Sequence, residues 1–318
     1  MVISQIYKGQ GFGNQLWCMT TAYALSQFKN FPISFVDSSQ SFLGYDIFDF
    51  PTNFFKKKIK VNNYFYEEGY YDTKLKNNLF FFDKSILNIK PFTEIVGNFQ
   101  SENYFFNKEE KIKNYFKINE KTLQLSEQFN NHNILNIRGG EYKRHRNLLL
   151  PDFYWQNLYS LLKSKSDLPF VIVTDDYSYS RRLFPNLDII SNDIQLCFAA
   201  IMGSSNIGLS NSSFSYFPIF FGKKKQHIFA PYQWARFNNS QNLWVSPCNY
   251  YQTWQWVNSE GLIISSENCL KNISFTKNIL EKKCKKIHFA LPKSKHKFVI
   301  NIKTFIKYIL GFFNWRYQ

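Results

Sequence analysis

The chain has 318 residues, 44% of them hydrophobic, enough to fill two cores and too apolar for a tail or a scaffold. Its 39 Lys and Arg against 23 Asp and Glu leave a net charge of +16, which favours an anionic partner: nucleic acid, a membrane surface or a phosphate-bearing substrate. Cys18, Cys197, Cys248, Cys269 and Cys284 are widely spaced, odd in number and without a CxxC pair, which argues against a disulfide framework or a zinc site and for a reducing compartment.

Residues 2–7 read as a strand broken by Ser4 and Gln5 rather than as a secretory leader, and no uncharged apolar run is as long as a spanning helix, so a cytoplasmic protein is expected. The strand leads into GQGFGNQ (9–15) and then the helix-like WCMTTAYALSQF, the order of a nucleotide-binding fold. A dinucleotide fingerprint would need a third glycine where Asn14 stands, while Asp37, ending the second strand FPISFVD (31–37), offers an acid to a ribose. The plainer reading gives the glycines only a tight turn. The carboxamides of Asn14 and Gln15 at the helix start offer donors and acceptors to a polyhydroxyl ligand, which makes Gly11, Gly13, Asn14 and Gln15 a candidate ligand loop.

Residues 50–125 are aromatic and charged with poor periodicity, and only a helix near residues 108–116 can be assigned. A polar run at 124–131 marks the expected domain boundary. Beyond it, ILNIRGGEYKRHR (134–146) reads as a strand that ends in Arg138 at a glycine loop, with Glu141 and Tyr142 following and Lys143, Arg144 and Arg146 as a solvated rim. A guanidinium at a strand's carboxyl end suits a diphosphate, because its fork donates two charge-assisted hydrogen bonds, and Gly139 and Gly140 leave room for close approach. The plain alternative is a surface arginine in a turn.

PFVIVTDD (169–176) is a strand ending in Asp175 and Asp176, acids for a metal, a base or a ribose, or for capping the next helix. NIGLSNSSFSYF (206–217) is a strand running into Ser210, Asn211, Ser212 and Ser213, more small polar residues than one helix cap needs, and so a candidate anion site. Residues 277–297 are rich in Lys. They precede KFVINIKTFIKYILGFF (297–313), whose apolar residues at spacings of three and four predict a basic amphipathic helix, either lying on anionic lipid or packing back on the first domain.

Taken in order, GFGNQ (11–15), GNFQSENYF (97–105), NIRGGEY (136–142), VTDD (173–176), SNSSFS (210–215) and APYQW (230–234) resemble glycosyltransferase family 11, the α-1,2-fucosyltransferases, which is related to the protein O-fucosyltransferases. The resemblance covers roughly residues 1–240. It implies an α/β fold of GT-B type, two Rossmann-like domains facing a cleft: an acceptor-side domain at 1–128, a donor domain at 129–265 and the basic extension at 266–318. It further implies metal-independent inverting transfer of fucose from GDP-fucose to a galactoside of a surface glycan, with no cofactor, while the amphipathic segment 297–313 points to a lipid-linked oligosaccharide acceptor at the inner face of the cell membrane.

Of the family's H-x-R-R-G-D-Y pattern this chain keeps the first arginine as Arg138, with Asn136, Gly139 and Glu141 at the altered positions, so a different sugar donor is the alternative. The implied roles are Arg138, Asn14 and Glu141 in catalysis. Arg138, Asp175, Asp176, Ser210, Asn211, Ser212, Ser213 and Phe214 would hold the donor, and Gly11, Gly13, Asn14 and Gln15 would face the acceptor. A non-catalytic nucleic-acid-binding protein is the reading from another class; lysines cluster at the C-terminal end and the aromatics lie mainly in segments that read as core, so no nucleic acid is expected.

Overall fold

The computed structural model describes residues 1–72, 77–145, 148–244 and 249–290. In chain order the elements are β1 (Val2–Gln5), α1 (Phe12–Lys29), β2 (Ile33–Val36), β3 (Phe55–Lys56), β4 (Asn63–Tyr66), β5 (Glu68–Asp72), β6 (Asn77–Phe80), β7 (Thr93–Val96), α2 (Glu109–Tyr115) and α3 (Glu120–Glu127). They continue with β8 (Asn133–Ile137), α4 (Asp152–Lys165), β9 (Phe170–Thr174), α5 (Tyr177–Leu183), β10 (Asp188–Ser191), α6 (Ile194–Gly203), β11 (Asn206–Leu209) and α7 (Tyr216–Phe221). The last are β12 (His227–Pro231), β13 (Gln255–Val257), β14 (Ile263–Ile264), α8 (Ser266–Lys283) and β15 (Lys285–His288).

These build a mixed α/β molecule around two sheets. The first, β3-β2-β1-β7-β4, is parallel throughout; the second, β10-β9-β8-β11-β12-β13-β14, is parallel except for its last pair. The central strands β8 and β11 are buried at every position, as parallel strands covered on both faces must be, and this is why they read as mainly apolar, with the buried Asn133, Asn136 and Asn206 as the polar positions. A third, antiparallel sheet orders β15-β5-β6.

Helix α1 decides how the two sheets meet. It carries no charge before Lys29, is buried nearly all round from Phe12 to Ser26, and ends where Asn30 takes a left-handed conformation. Its Trp17 ring lies 5.3 Å from Phe105 on the first sheet's side and 4.3 Å and 5.1 Å from Tyr216 and Phe217 on the second's. One hydrophobic core therefore runs from Val2 and Phe35 through Trp17 to Phe198, Phe217 and Trp254. A smaller core under α4 covers the other face of the second sheet, built on Ile137, Trp155, Leu158 and Ile172.

Close packing runs across the expected boundary at 128. Helix α3 docks on α6, where the Gln195 amide donates to the Thr122 hydroxyl at 2.9 Å. Residues 266–290, expected as an extension, fold back: α8 buries Cys269, Asn272, Thr276 and Leu280, and β15 pairs with β5, Lys285 opposite Tyr71. The amphipathic segment 297–313, Cys248 and Arg146 lie outside the described residues. Among the described residues no helix is long and apolar enough to cross a membrane.

Candidate functional site

A cavity of about 510 Å³ opens where the loops after β1, β8, β9, β10 and β11 converge. This is the carboxyl edge of the strands, where an open α/β sheet leaves room for a ligand. The glycine loop from Gly9 to Asn14 forms one wall; Arg138, Glu141, Tyr142, Asp175, Asp193 and the turn Ser212 to Phe214 form the other.

Arg138 leaves the end of β8 and is pinned on two sides. Its Nη1 pairs with Asp175 Oδ2 at 2.9 Å and its Nη2 with Glu141 Oε1 at 3.4 Å, and the guanidinium lies 5.2 Å from the centre of the Tyr142 ring. Asp175 is itself fixed, since its Oδ1 accepts the Gly139 N–H at 2.9 Å. Arg138 Nε has no partner among the described residues, so the Nε–Nη2 edge is held only by Glu141, whose side chain is 67% exposed. Tyr142 donates to the Asn211 carbonyl at 3.2 Å, and burial pushes its hydroxyl pKa up, which keeps it a neutral donor.

Asn14 joins the two halves. Its Oδ1 accepts from Gln100 Nε2 at 2.6 Å and from the Ser213 hydroxyl at 2.8 Å, so its amide N–H groups are left to donate into the cavity. Gly13 permits this approach: a Cβ there would stand 2.6 Å from Phe214 N and closer still to the Ser213 carbonyl carbon and oxygen. The glycine loop is thus a seat for the 212–214 turn rather than a cradle for phosphate. Ser212 caps that turn by accepting the Phe214 N–H, and the Phe214 ring packs 6.1 Å from Phe12.

Other residues singled out in the sequence take structural places. Gln15 is wholly buried and spends its amide on the Gln10 and Ser41 carbonyls and the Leu43 N–H, so it is no part of a ligand loop. Ser210 and Asn211 sit behind the cavity, the first against Asn136 and the second against the Leu148 carbonyl at 3.0 Å. Asn136 accepts from Ser215 as well and donates to the Val173 carbonyl, tying β8 to the turn.

Asp176 caps α5 through Tyr179 N and pairs with Lys143, the simple capping reading, and does not line the cavity. Asp37 is no ribose ligand, because its oxygens accept the Ser41 and Phe42 N–H groups and the Tyr45 hydroxyl. Gly139 and Gly140 make room for aspartates rather than for a diphosphate: a Cβ on Gly139 would meet Asp176 Cβ at 2.7 Å, and one on Gly140 would collide with Asp175 Oδ2. Gly11 is exposed at the rim.

The sequence reading missed Asp193 and Leu43. Asp193 gives one oxygen to Leu196 N at the start of α6 and lines the cavity, so its second oxygen can accept from a ligand's N–H groups. The signal was present as an acid one residue before an apolar helix, hidden because β10 is half-buried and not periodic. Leu43 stands 46% exposed at the mouth. Among the described residues no group of three or more His, Cys, Asp and Glu could hold a metal ion.

No family model matches the chain, and no curated protein sequence matches it. Solved structures similar to it include the NodZ alpha-1,6-fucosyltransferase soaked with GDP-fucose, 11% identical, which covers 70% of this chain and 92% of that one with a TM-score of 0.42. The fucosyltransferase NodZ from Bradyrhizobium is 12% identical over the same shares, 70% and 92%, with a TM-score of 0.42. A variant of Arabidopsis thaliana FUT1 in complex with GDP is 11% identical, covers 70% of this chain and 68% of that one, and has a TM-score of 0.41. All three likenesses are remote.

Proposed function

We propose that the chain is an inverting glycosyltransferase of GT-B type, an α-1,2-fucosyltransferase that moves fucose from GDP-fucose to a galactoside of a surface glycan or lipid-linked oligosaccharide. Residues 1–128 present the acceptor side and 129–265 hold the donor. The observation that supports this reading is the convergence in one cavity of Asn14 from the first half with Arg138 and Ser213 from the second, three of the residues that the motif resemblance assigns to the reaction.

The acceptor hydroxyl attacks the sugar's anomeric carbon, the bond to the diphosphate breaks, and negative charge collects on the departing oxygen. Arg138, anchored through Nη1 on Asp175, offers its Nε–Nη2 edge to that charge once the exposed Glu141 swings away. Glu141, released at the cavity mouth, then takes the acceptor's proton. The free oxygen of Asp193 accepts the paired N–H groups of a guanine edge, and Asn14 donates to a sugar hydroxyl.

The test is release of GDP from GDP-fucose in the presence of a panel of galactosides, with GDP-mannose as the competing donor. No GDP release with any acceptor, together with no thermal stabilisation by GDP, would overturn the assignment.

A further inference from the structure

Away from the cavity, the edge strand β4 carries Tyr64 and Tyr66 side by side, 57% and 43% exposed. Two residues apart on a strand, they share one face. Their rings lie 6.0 Å apart and 22° from parallel, a stacked pair of exposed aromatics. Tyr64 is the common wall of two grooves. One, of about 670 Å³, is edged by Glu68, Ser85 and His288; the other, of about 500 Å³, by Gln5, Ser38 and the lysines 57, 58 and 60.

The three lysines are exposed and have no ion-pair partner among the described residues. The carboxylate beside them, Glu94, is tied to the Tyr7 hydroxyl, and burial raises its pKa. Tyr7 in turn is two residues from Gly9, which lines the cavity.

We infer that Tyr64, Tyr66 and the lysines 57, 58 and 60 bind the body of an anionic oligosaccharide acceptor whose end reaches the cavity; this rests on the transferase reading above. The weakly positive C–H face of a pyranose lies on the negative face of an aromatic ring, and two exposed rings 6.0 Å apart offer contacts to neighbouring sugars. The hydroxyls find donors and acceptors in Ser85, His288, Gln5 and Ser38, and the unpaired lysines favour negative charge on the chain. That charge is carboxylate on the sugars or phosphate at a lipid-linked end. Single-stranded RNA also pairs aromatics with lysines. Glycan is favoured by rings whose centroids are 6.0 Å apart, too close to admit a base between them.

The experiment is titration of the full chain, at low and physiological salt, with a glucuronate-containing hexasaccharide, a neutral hexasaccharide of N-acetylglucosamine, an oligosaccharyl diphosphate and oligouridylate. Expected is at least tenfold tighter binding of one anionic glycan than of the neutral one, weakened by salt. Tyr64→Ala combined with Tyr66→Ala, and separately Lys58→Glu combined with Lys60→Glu, should each lose at least tenfold at an unchanged melting temperature. Comparing the two anionic glycans identifies carboxylate or phosphate as the recognised group.

Tightest binding of oligouridylate, no binding of either anionic glycan at millimolar concentration, or equal binding by the variants would overturn the inference. Hydrolysis of GDP-fucose without acceptor reads the cavity alone. Intact glycan binding without GDP release would therefore sink the transferase reading and keep the groove, whereas the reverse pattern would sink the groove only.

Discussion

Replacing Gly13 by Ala places a methyl group against backbone that has little freedom to yield. The added carbon would stand 2.6 Å from Phe214 N, about 1 Å inside ordinary contact, with the Ser213 carbonyl closer still, so the 212–214 turn must move by about that amount. Such overpacking costs typically 1–3 kcal/mol, and displacement of Ser213 from Asn14 adds about 1 kcal/mol for the lost hydrogen bond. The helix propensity of Ala over Gly at the start of α1 returns up to about 1 kcal/mol, leaving a net loss of about 1–3 kcal/mol. Melting should drop by several degrees. A 1 Å displacement at a reacting site costs on the order of a hundredfold in turnover, so GDP release should fall to about one per cent. Gly11→Ala is the control, because no atom lies within 4 Å of its Cβ position and its φ of −65° is open to any residue. A Gly13→Ala protein that melts and turns over like the parent would refute the close seating of the two halves on this glycine.

Arg138→Lys should be nearly as inactive as Arg138→Ala, each about a hundredfold slower in GDP release, because a lysine keeps the charge but cannot hold Asp175 on one edge while donating two bonds from the other. Arg144→Ala should change turnover much less, and near-normal turnover by a folded Arg138→Ala protein would remove Arg138 from the mechanism. Glu67 is wholly buried, accepting the Asn98 and Phe99 N–H groups and the Tyr104 hydroxyl, and burial still pushes its pKa from 4.5 up to about 7. Between those values the folded chain holds a proton that the unfolded chain has released, so stability should fall as pH rises from about 5 to 7, by on the order of 3 kcal/mol in all. Denaturant titrations at several pH values should show that slope, and Glu67→Gln should flatten it. Turnover should survive EDTA, since in the proposed reaction Arg138 would supply the positive charge at the diphosphate; loss of activity restored by Mg²⁺ would make Asp175 a metal ligand instead.

The elements written in local pattern are those the chain makes from neighbouring residues. β1, β2, β8, β9 and β11 stand out as apolar runs because parallel strands are buried on both faces, and α1 stands out as uncharged because it is surrounded. Arg138, Asp175 and Asn14 were legible for the same reason, each ending or following such an element where a loop opens at the sheet's edge.

Everything that depends on contact between distant segments was decided by tertiary structure. β7 lies between β1 and β4, and β15 returns to β5, pairings that no periodicity within residues 50–125 announces. Gln15 and Asn14 are adjacent carboxamides, indistinguishable by type. One is spent on the loop from Ser41 to Leu43 while the other meets Gln100 and Ser213, because successive residues on a helix point about 100° apart and only one direction faces the second half. Asp175 and Asp176 divide in the same way: the strand's end turns the first onto Arg138, and the start of α5 claims the second as its cap.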